Sequence, residues 1–143
     1  MKKYPEPYLL ELPKLGESGI GYISVAENNK APLPFTIERV FWTYYTPEEV
    51  VRGRHAHKET EQILLAVSGT ITLVAEDAHE HVQLFRLDKP NLGVYIPPCV
   101  WHTMQYSHNA VQLVFASHAY AADDYLRDKT AFRNYWLERL AAG

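Results

Sequence analysis

Arg52-Gly53-Arg54-His55-Ala56-His57-Lys58-Glu59-Thr60-Glu61-Gln62-Ile63-Leu64-Leu65-Ala66-Val67-Ser68-Gly69-Thr70-Ile71-Thr72-Leu73-Val74-Ala75 is the stretch that decides the fold. Its aliphatic and β-branched runs predict strands over His55 to Val67 and Thr70 to Ala75, with Ser68-Gly69 as a two-residue hairpin turn between them. On an extended strand, positions i and i+2 point to one face, roughly 6–7 Å apart. His55 and His57 therefore enter one space together. Two imidazoles so placed serve either a metal ion or proton transfer.

The same punctuation continues on both sides of this stretch. Further strands are expected at Gly21 to Ala26, Phe35 to Tyr45, His81 to Arg86, Gly93 to Ile96, Thr103 to Tyr106 and Val111 to Ala116, separated by Gly, Pro, Asn and Asp. The short connections favour antiparallel neighbours. From Asp123 onward the chain is polar and β-poor, and Phe132, Trp136 and Leu140 recur every four residues as one apolar helical face. Eight or more short strands followed by one helix predict an all-β, cupin-type jelly-roll barrel (a double-stranded β-helix) with a short C-terminal helix.

The bulk numbers suit this fold. A chain of 143 residues, 47% hydrophobic and 22% charged, suits a single domain over 1–143 with its own core. A formal net charge of -3 gives no general attraction to nucleic acid or anionic membrane. The single cysteine, Cys99, forms no internal disulfide and is read as packing; a reducing cytoplasm is the expected setting. The N-terminal Met1-Lys2-Lys3-Tyr4-Pro5-Glu6-Pro7 lacks the apolar core of a signal peptide, and no apolar run reaches the roughly 20 residues that span a bilayer.

Two chemistries fit the histidines. His55 and His57, with Glu61 four residues beyond and His102 after Pro97-Pro98, are the ingredients of a metal-binding cupin, since imidazoles and a carboxylate suit Zn, Mn, Fe or Ni. Alternatively, imidazoles with an ordinary pKa of about 6.5 are competent acids and bases at neutral pH without any metal.

A wider set of motifs bears on the choice. Pro34-Phe35-Thr36-Ile37-Glu38-Arg39-Val40, Arg52-Gly53-Arg54-His55-Ala56-His57-Lys58 and Glu61-Gln62 are followed by Leu87-Asp88-Lys89-Pro90-Asn91-Leu92-Gly93-Val94-Tyr95-Ile96-Pro97-Pro98 and Val100-Trp101-His102. Leu113-Val114-Phe115-Ala116-Ser117 and Asp123-Asp124-Tyr125-Leu126-Arg127-Asp128 complete the series. In this order and spacing the chain resembles the sugar-nucleotide 3,4-ketoisomerases of the FdtA/QdtA/WxcM-like family, which act on dTDP-4-keto-6-deoxyglucose. The resemblance implies a small jelly-roll homodimer that exchanges strands between subunits and works without metal or other cofactor, in deoxysugar synthesis for polysaccharide or a glycosylated metabolite.

The implied reaction moves a keto group from C4 to C3. The C3 hydrogen, acidified by the neighbouring carbonyl, is removed to give an enediolate, and a proton returns at C4; His55 and His57 are the expected acid–base pair. A dTDP-linked keto-sugar carries two phosphates, for which Arg39 and Arg52 are the expected guanidinium partners, a Gly53 bulge redirecting Arg52. Tyr95 and Trp101 are natural walls for the base ring, His102 is expected to line the pocket, Tyr44 to add a hydroxyl, and Gln62 to orient a histidine. The chain departs from the family pattern in three places: Ser18 or Ile20 stands where an arginine is usual, Phe41 and Trp42 replace tyrosines, and His118 replaces an aspartate. The rival readings are a 3,5-epimerase-like enzyme, and a metal- or sugar-binding cupin module without catalysis.

Overall fold

A computed structural model describes residues 2–142. Two five-stranded sheets, antiparallel throughout, face each other across the main core. The first runs β1 (Tyr8–Glu11), β9 (Leu92–Ile96), β6 (Gln62–Ser68), β11 (Val111–Ala116) and β4 (Arg39–Thr43) in spatial order. The second runs β12 (Tyr125–Leu126), β5 (Arg52–His57), β10 (Val100–Tyr106), β7 (Ile71–Asp77) and β8 (Val82–Leu87). β2 (Lys14–Glu17) and β3 (Gly21–Ser24) form a separate hairpin, and helix α1 (Lys129–Ala142) follows β12. This is the expected all-β jelly roll with its terminal helix.

Between the sheets, Leu64, Ala66, Leu73, Ala75, Val94, Ile96, Met104 and Val114 interdigitate as one apolar layer. The outer face of the second sheet is covered by α1, where Trp101 and Ala56 pack on Phe132 and Trp136. The outer face of the first sheet carries Ile63, Leu65, Tyr95 and Phe115 beneath Leu10, Leu33 and Phe35. β6 is thus buried on both faces, which is why its sequence is a continuous apolar run rather than an alternating one.

The same run misleads about connectivity. Ser68-Gly69 is no hairpin turn: Ser68 ends β6 in the first sheet and β7 opens in the second, so the dipeptide is a corner between sheets. Gly69 is needed there, because its φ is +69° and a Cβ would fall 2.7 Å from the Ala110 Cα and 2.6 Å from the Ser107 hydroxyl oxygen. Nor is His55 to Val67 one strand. β5 stops at His57 and the chain crosses to the other sheet before β6 begins at Gln62. Period-2 patterning reports burial on each face but does not say which strand supplies the partner.

At the termini, Gly21 to Ala26 yields only the second arm of the β2–β3 hairpin, and the long strand shortens to Arg39–Thr43. The helix starts at Lys129, after a short 3-10 turn (Ala122–Asp124) and β12, and the Asp128 carboxylate accepts the Ala131 N–H at 2.9 Å as its cap. Phe132 and Trp136 are buried as the four-residue spacing requires; Leu140, at 39% exposure, is not part of that core.

Candidate active site

Between the sheets, against the apolar layer, lies a cavity of about 80 Å³ whose walls mix Leu64, Met104 and Val114 of that layer with polar side chains. β5 and β10 place Arg52, His55, His102 and Tyr106 on one wall, and β4, β6 and β11 place Thr43, Gln62 and Gln112 on the other. His57 adjoins this space, its ring centroid 5.1 Å from that of His55. His102 stands 4.8 Å from His55 and 6.2 Å from His57, because β10 pairs with β5 and sets His102 directly opposite His55. Three imidazoles therefore share one buried locus.

A bulge produces the arrangement on β5. His102 pairs with His55 and Thr103 with Gly53, so Arg54 is the unpaired extra residue, with φ +57°. Gly53 has φ +86°, and a Cβ on it would lie 2.8 Å from the His102 carbonyl oxygen. The slip of one position lets Arg52, an exposed residue like Arg54, line the cavity with His55 as Arg54 does not, although strict alternation would have sent Arg52 to the other face. Arg52 sits beside Tyr106, whose hydroxyl donates to Gln112 Oε1 at 2.6 Å; burial pushes that phenol up to about 12 against the pull of the guanidinium.

Burial governs the protonation of the histidines. His57, 2% exposed, is pushed down to about 3, first by desolvation and then by the charges of His55, Arg39 and Arg127. Desolvation also lowers His55, opposed by its bond to the Gly53 carbonyl and aided by Arg127. His102, 1% exposed, is held well below the usual imidazole range by burial and by the two neighbouring rings. All three are neutral near pH 7, the form that accepts a proton. A carbonyl only accepts, so the 3.1 Å contact between His55 Nδ1 and the Gly53 oxygen places the proton on Nδ1 and leaves Nε2 as the basic nitrogen. His57 Nε2, His102 Nδ1 and Arg39 Nε are buried without hydrogen-bond partners. Buried polar atoms are normally satisfied, so three orphans around one locus mark a place for a polar ligand.

The remaining residues named from sequence divide by sheet face. Arg39 lies near His57, its guanidinium over Phe41 at 5.3 Å and Tyr120 at 5.7 Å. Gln62 is buried on the cavity wall. Tyr44, 55% exposed, packs edge-on against Tyr45 and does not line the cavity, which receives Phe41 and Thr43 from β4 instead. Tyr95 lies on the outer face of the first sheet, stacked on Tyr8 and donating to Glu61 Oε1 at 2.7 Å. Trp101 packs under α1 against Phe132 at 5.8 Å. Glu61, the carboxylate of the metal alternative, bonds Tyr95 and Lys2 on that outer side. Among the described residues no group of three or more His, Cys, Asp or Glu side chains is arranged to hold a metal ion.

Tyr125, Arg127, Tyr106 and Gln112 were not picked out as site residues from sequence. Tyr125 packs on both histidines, 5.1 Å from His55 and 4.6 Å from His57, and Arg127 covers its ring at 4.4 Å. The run Asp123 to Asp128 reads as helical onset, and only the pairing of β12 with β5 reveals its place. Gln112 and Tyr106 alternate correctly for an inward face, but nothing in their residue types separates a cavity wall from a satisfied core pair.

Residues 6–136 match a family model described as FdtA: WxcM-like, C-terminal. A TDP-4-oxo-6-deoxy-alpha-D-glucose-3,4-oxoisomerase from Aneurinibacillus thermoaerophilus is 34% identical over 131 residues, covering 91% of this chain and 92% of that protein. Among solved structures, the sugar 3,4-ketoisomerase QdtA from Thermoanaerobacterium thermosaccharolyticum, in complex with TDP, superposes with a TM-score of 0.87 at 27% identity, covering 94% of this chain and 96% of the other. A 3,4-ketoisomerase from Helicobacter canadensis gives 0.85 at 31% identity, covering 92% and 98%.

Proposed function

The chain belongs to the FdtA family, and we propose on that footing that it is a sugar-nucleotide 3,4-ketoisomerase, moving the keto group of a dTDP-4-keto-6-deoxy-hexose from C4 to C3. The observation that carries the reading is the pair His55 and His57: two neutral imidazoles, 5.1 Å apart, His55 lining a cavity with Arg52 and His57 lying near Arg39. One imidazole removes the C3 proton, whose electron pair flows through C3–C4 to leave an enediolate oxygen on C4. A proton then returns to C4, and the O3 hydroxyl proton is given up as the carbonyl forms at C3. No electrons enter or leave. Negative charge developing on the sugar oxygen favours an imidazolium beside it, which offsets the desolvation that otherwise holds His57 low.

Arg39, near His57, and Arg52 supply fixed positive charge for the two phosphates, Gln62 lines the wall opposite Arg52, and His102 backs the pair. Tyr44, Tyr95 and Trp101, the other expected substrate contacts, lie away from the cavity of this subunit, and we assign them no substrate role within it. Incubation with dTDP-4-keto-6-deoxyglucose in D2O, followed by NMR, tests the function. Carbonyl migration to C3 is expected; deuterium at C5 without migration would replace the reading by epimerisation, and an unchanged sugar would leave a binding module.

The working unit is read as a strand-exchanging homodimer of one domain per chain, in the cytoplasm, feeding deoxysugar units to a polysaccharide or glycosylated metabolite. Support for the dimer comes from the β2–β3 hairpin, all of whose residues are exposed, including Leu15, Tyr22 and Ile23, and from Val40 and Trp42 on the outer face of the first sheet. Light scattering should give twice the chain mass of 16.4 kDa; a monomer at working concentration would remove the dimer from the proposal.

A further inference from the structure

β12 is two residues long, yet it is held more firmly than its length requires. Tyr125 pairs with His57 and Leu126 with Ala56. On the outer side Leu126 is buried with Phe132 and Trp136, and the Trp136 indole N–H donates to the His57 carbonyl at 3.2 Å. Asp124 ties the preceding turn to the crossing that follows the histidines. Its carboxylate accepts the Glu59 N–H at 2.7 Å and the Thr60 hydroxyl at 2.5 Å, and its carbonyl accepts the Lys58 N–H at 2.8 Å. On the inner side Tyr125 presses on both imidazoles, and Arg127 lies over the tyrosine ring. The His57 ring has no hydrogen bond at Nε2 to fix its rotation.

From this geometry we propose that Asp124, Tyr125 and Arg127 form a positioning clamp for His57: Asp124 fixes the segment to the turn beyond the histidine, and Tyr125, backed by Arg127, holds the imidazole in its working rotamer by ring contact. A side chain without a hydrogen-bonded second nitrogen is oriented by packing, and Tyr125 is the aromatic face nearest to His57. The other polar groups around His57 are His55 on its own strand, His102 from β10 and Arg39 from β4. His55 differs, being tied through Nδ1 to the Gly53 carbonyl. The kinetic part of the proposal rests on the ketoisomerase reading; the orientation part does not.

The test is Tyr125→Leu, read in two ways. Turnover of the keto-sugar nucleotide should fall about tenfold to a hundredfold with KM little changed, the scale of a reacting group misplaced by about 1 Å. In NMR, the His57 imidazole signals should broaden or double as the ring samples a second rotamer. Tyr125→Phe, which keeps the ring, should restore both readouts, and the exposed Arg127→Ala should show the same changes more weakly. A folded Tyr125→Leu protein with normal kcat and one sharp set of His57 signals overturns the clamp. If Tyr125→Leu does not fold, Arg127→Ala decides alone: sharp signals with normal kcat overturn the proposal. Wild-type protein that never turns over the sugar would sink the functional reading only, because the His57 signals still answer the question of orientation.

Discussion

Two cavities of this molecule differ in nearly every respect. The larger, about 470 Å³, lies between the β2–β3 hairpin and the outer face of the first sheet, lined by Leu12, Tyr22, Leu65, Leu113 and Phe115 with Lys14 and Lys89 among its other residues. The smaller, about 80 Å³, lies between the sheets and holds His55 and His102, with His57 beside it. Volume points to the first and chemistry to the second. The larger space is lined by no histidine, carboxylate or thiol, whereas three imidazoles at the smaller one are held neutral by burial. A site is identified by what its walls can do to a bond.

The sharpest way to break that contrast is to change one residue in each cavity. His57→Asn should lower kcat by about a hundredfold to ten-thousandfold, the usual weight of a general acid–base group, with the fold intact. Leu65→Ala, in the larger cavity, should cost about 2–5 kcal/mol of stability while the remaining folded enzyme turns over normally. Denaturant melts and steady-state kinetics on both variants check this; lost turnover in folded Leu65→Ala would move the chemistry to the larger cavity.

A smaller effect follows from pH. His57 has its folded-state pKa depressed from 6.5 to about 3, so the unfolded chain binds this proton first as pH falls. Its contribution to stability is complete above about 6.5 and is lost progressively as pH falls toward 3, with a slope of up to about 1.4 kcal/mol per pH unit. His55 and His102 act in the same direction. The melting temperature should therefore drop between pH 7.5 and 4.5, and less in His57→Asn than in the parent. An equal drop in both would mean that His57 is not buried neutral.

Much of the fold and the heart of the site were legible from local patterning. His-x-His on a strand puts two rings together wherever the strand lies, and the barrel class follows from the count and spacing of short strands. What was lost depends on pairing across distance. Ser68-Gly69 has the composition of a hairpin turn, and only the burial of both faces of β6 makes it a corner. Tyr95 alternates with Val94 and Ile96, so an aromatic that reads as a pocket wall lands on the opposite side of its sheet. Tyr125 is separated by 68 residues from the histidine it touches, in a segment whose polarity suggests helix.

The bulge at Gly53 and Arg54 makes backbone irregularity part of the specification of the pocket. A regular strand of the same length would leave His55 and His57 facing inward and the composition unchanged, but simple alternation would turn Arg52, three residues before His55, to the opposite face. The bulge thus acts as a coarse selector of which charges meet the substrate, and two chains with identical histidines, one bulged and one regular at this point, would present different anion-binding walls.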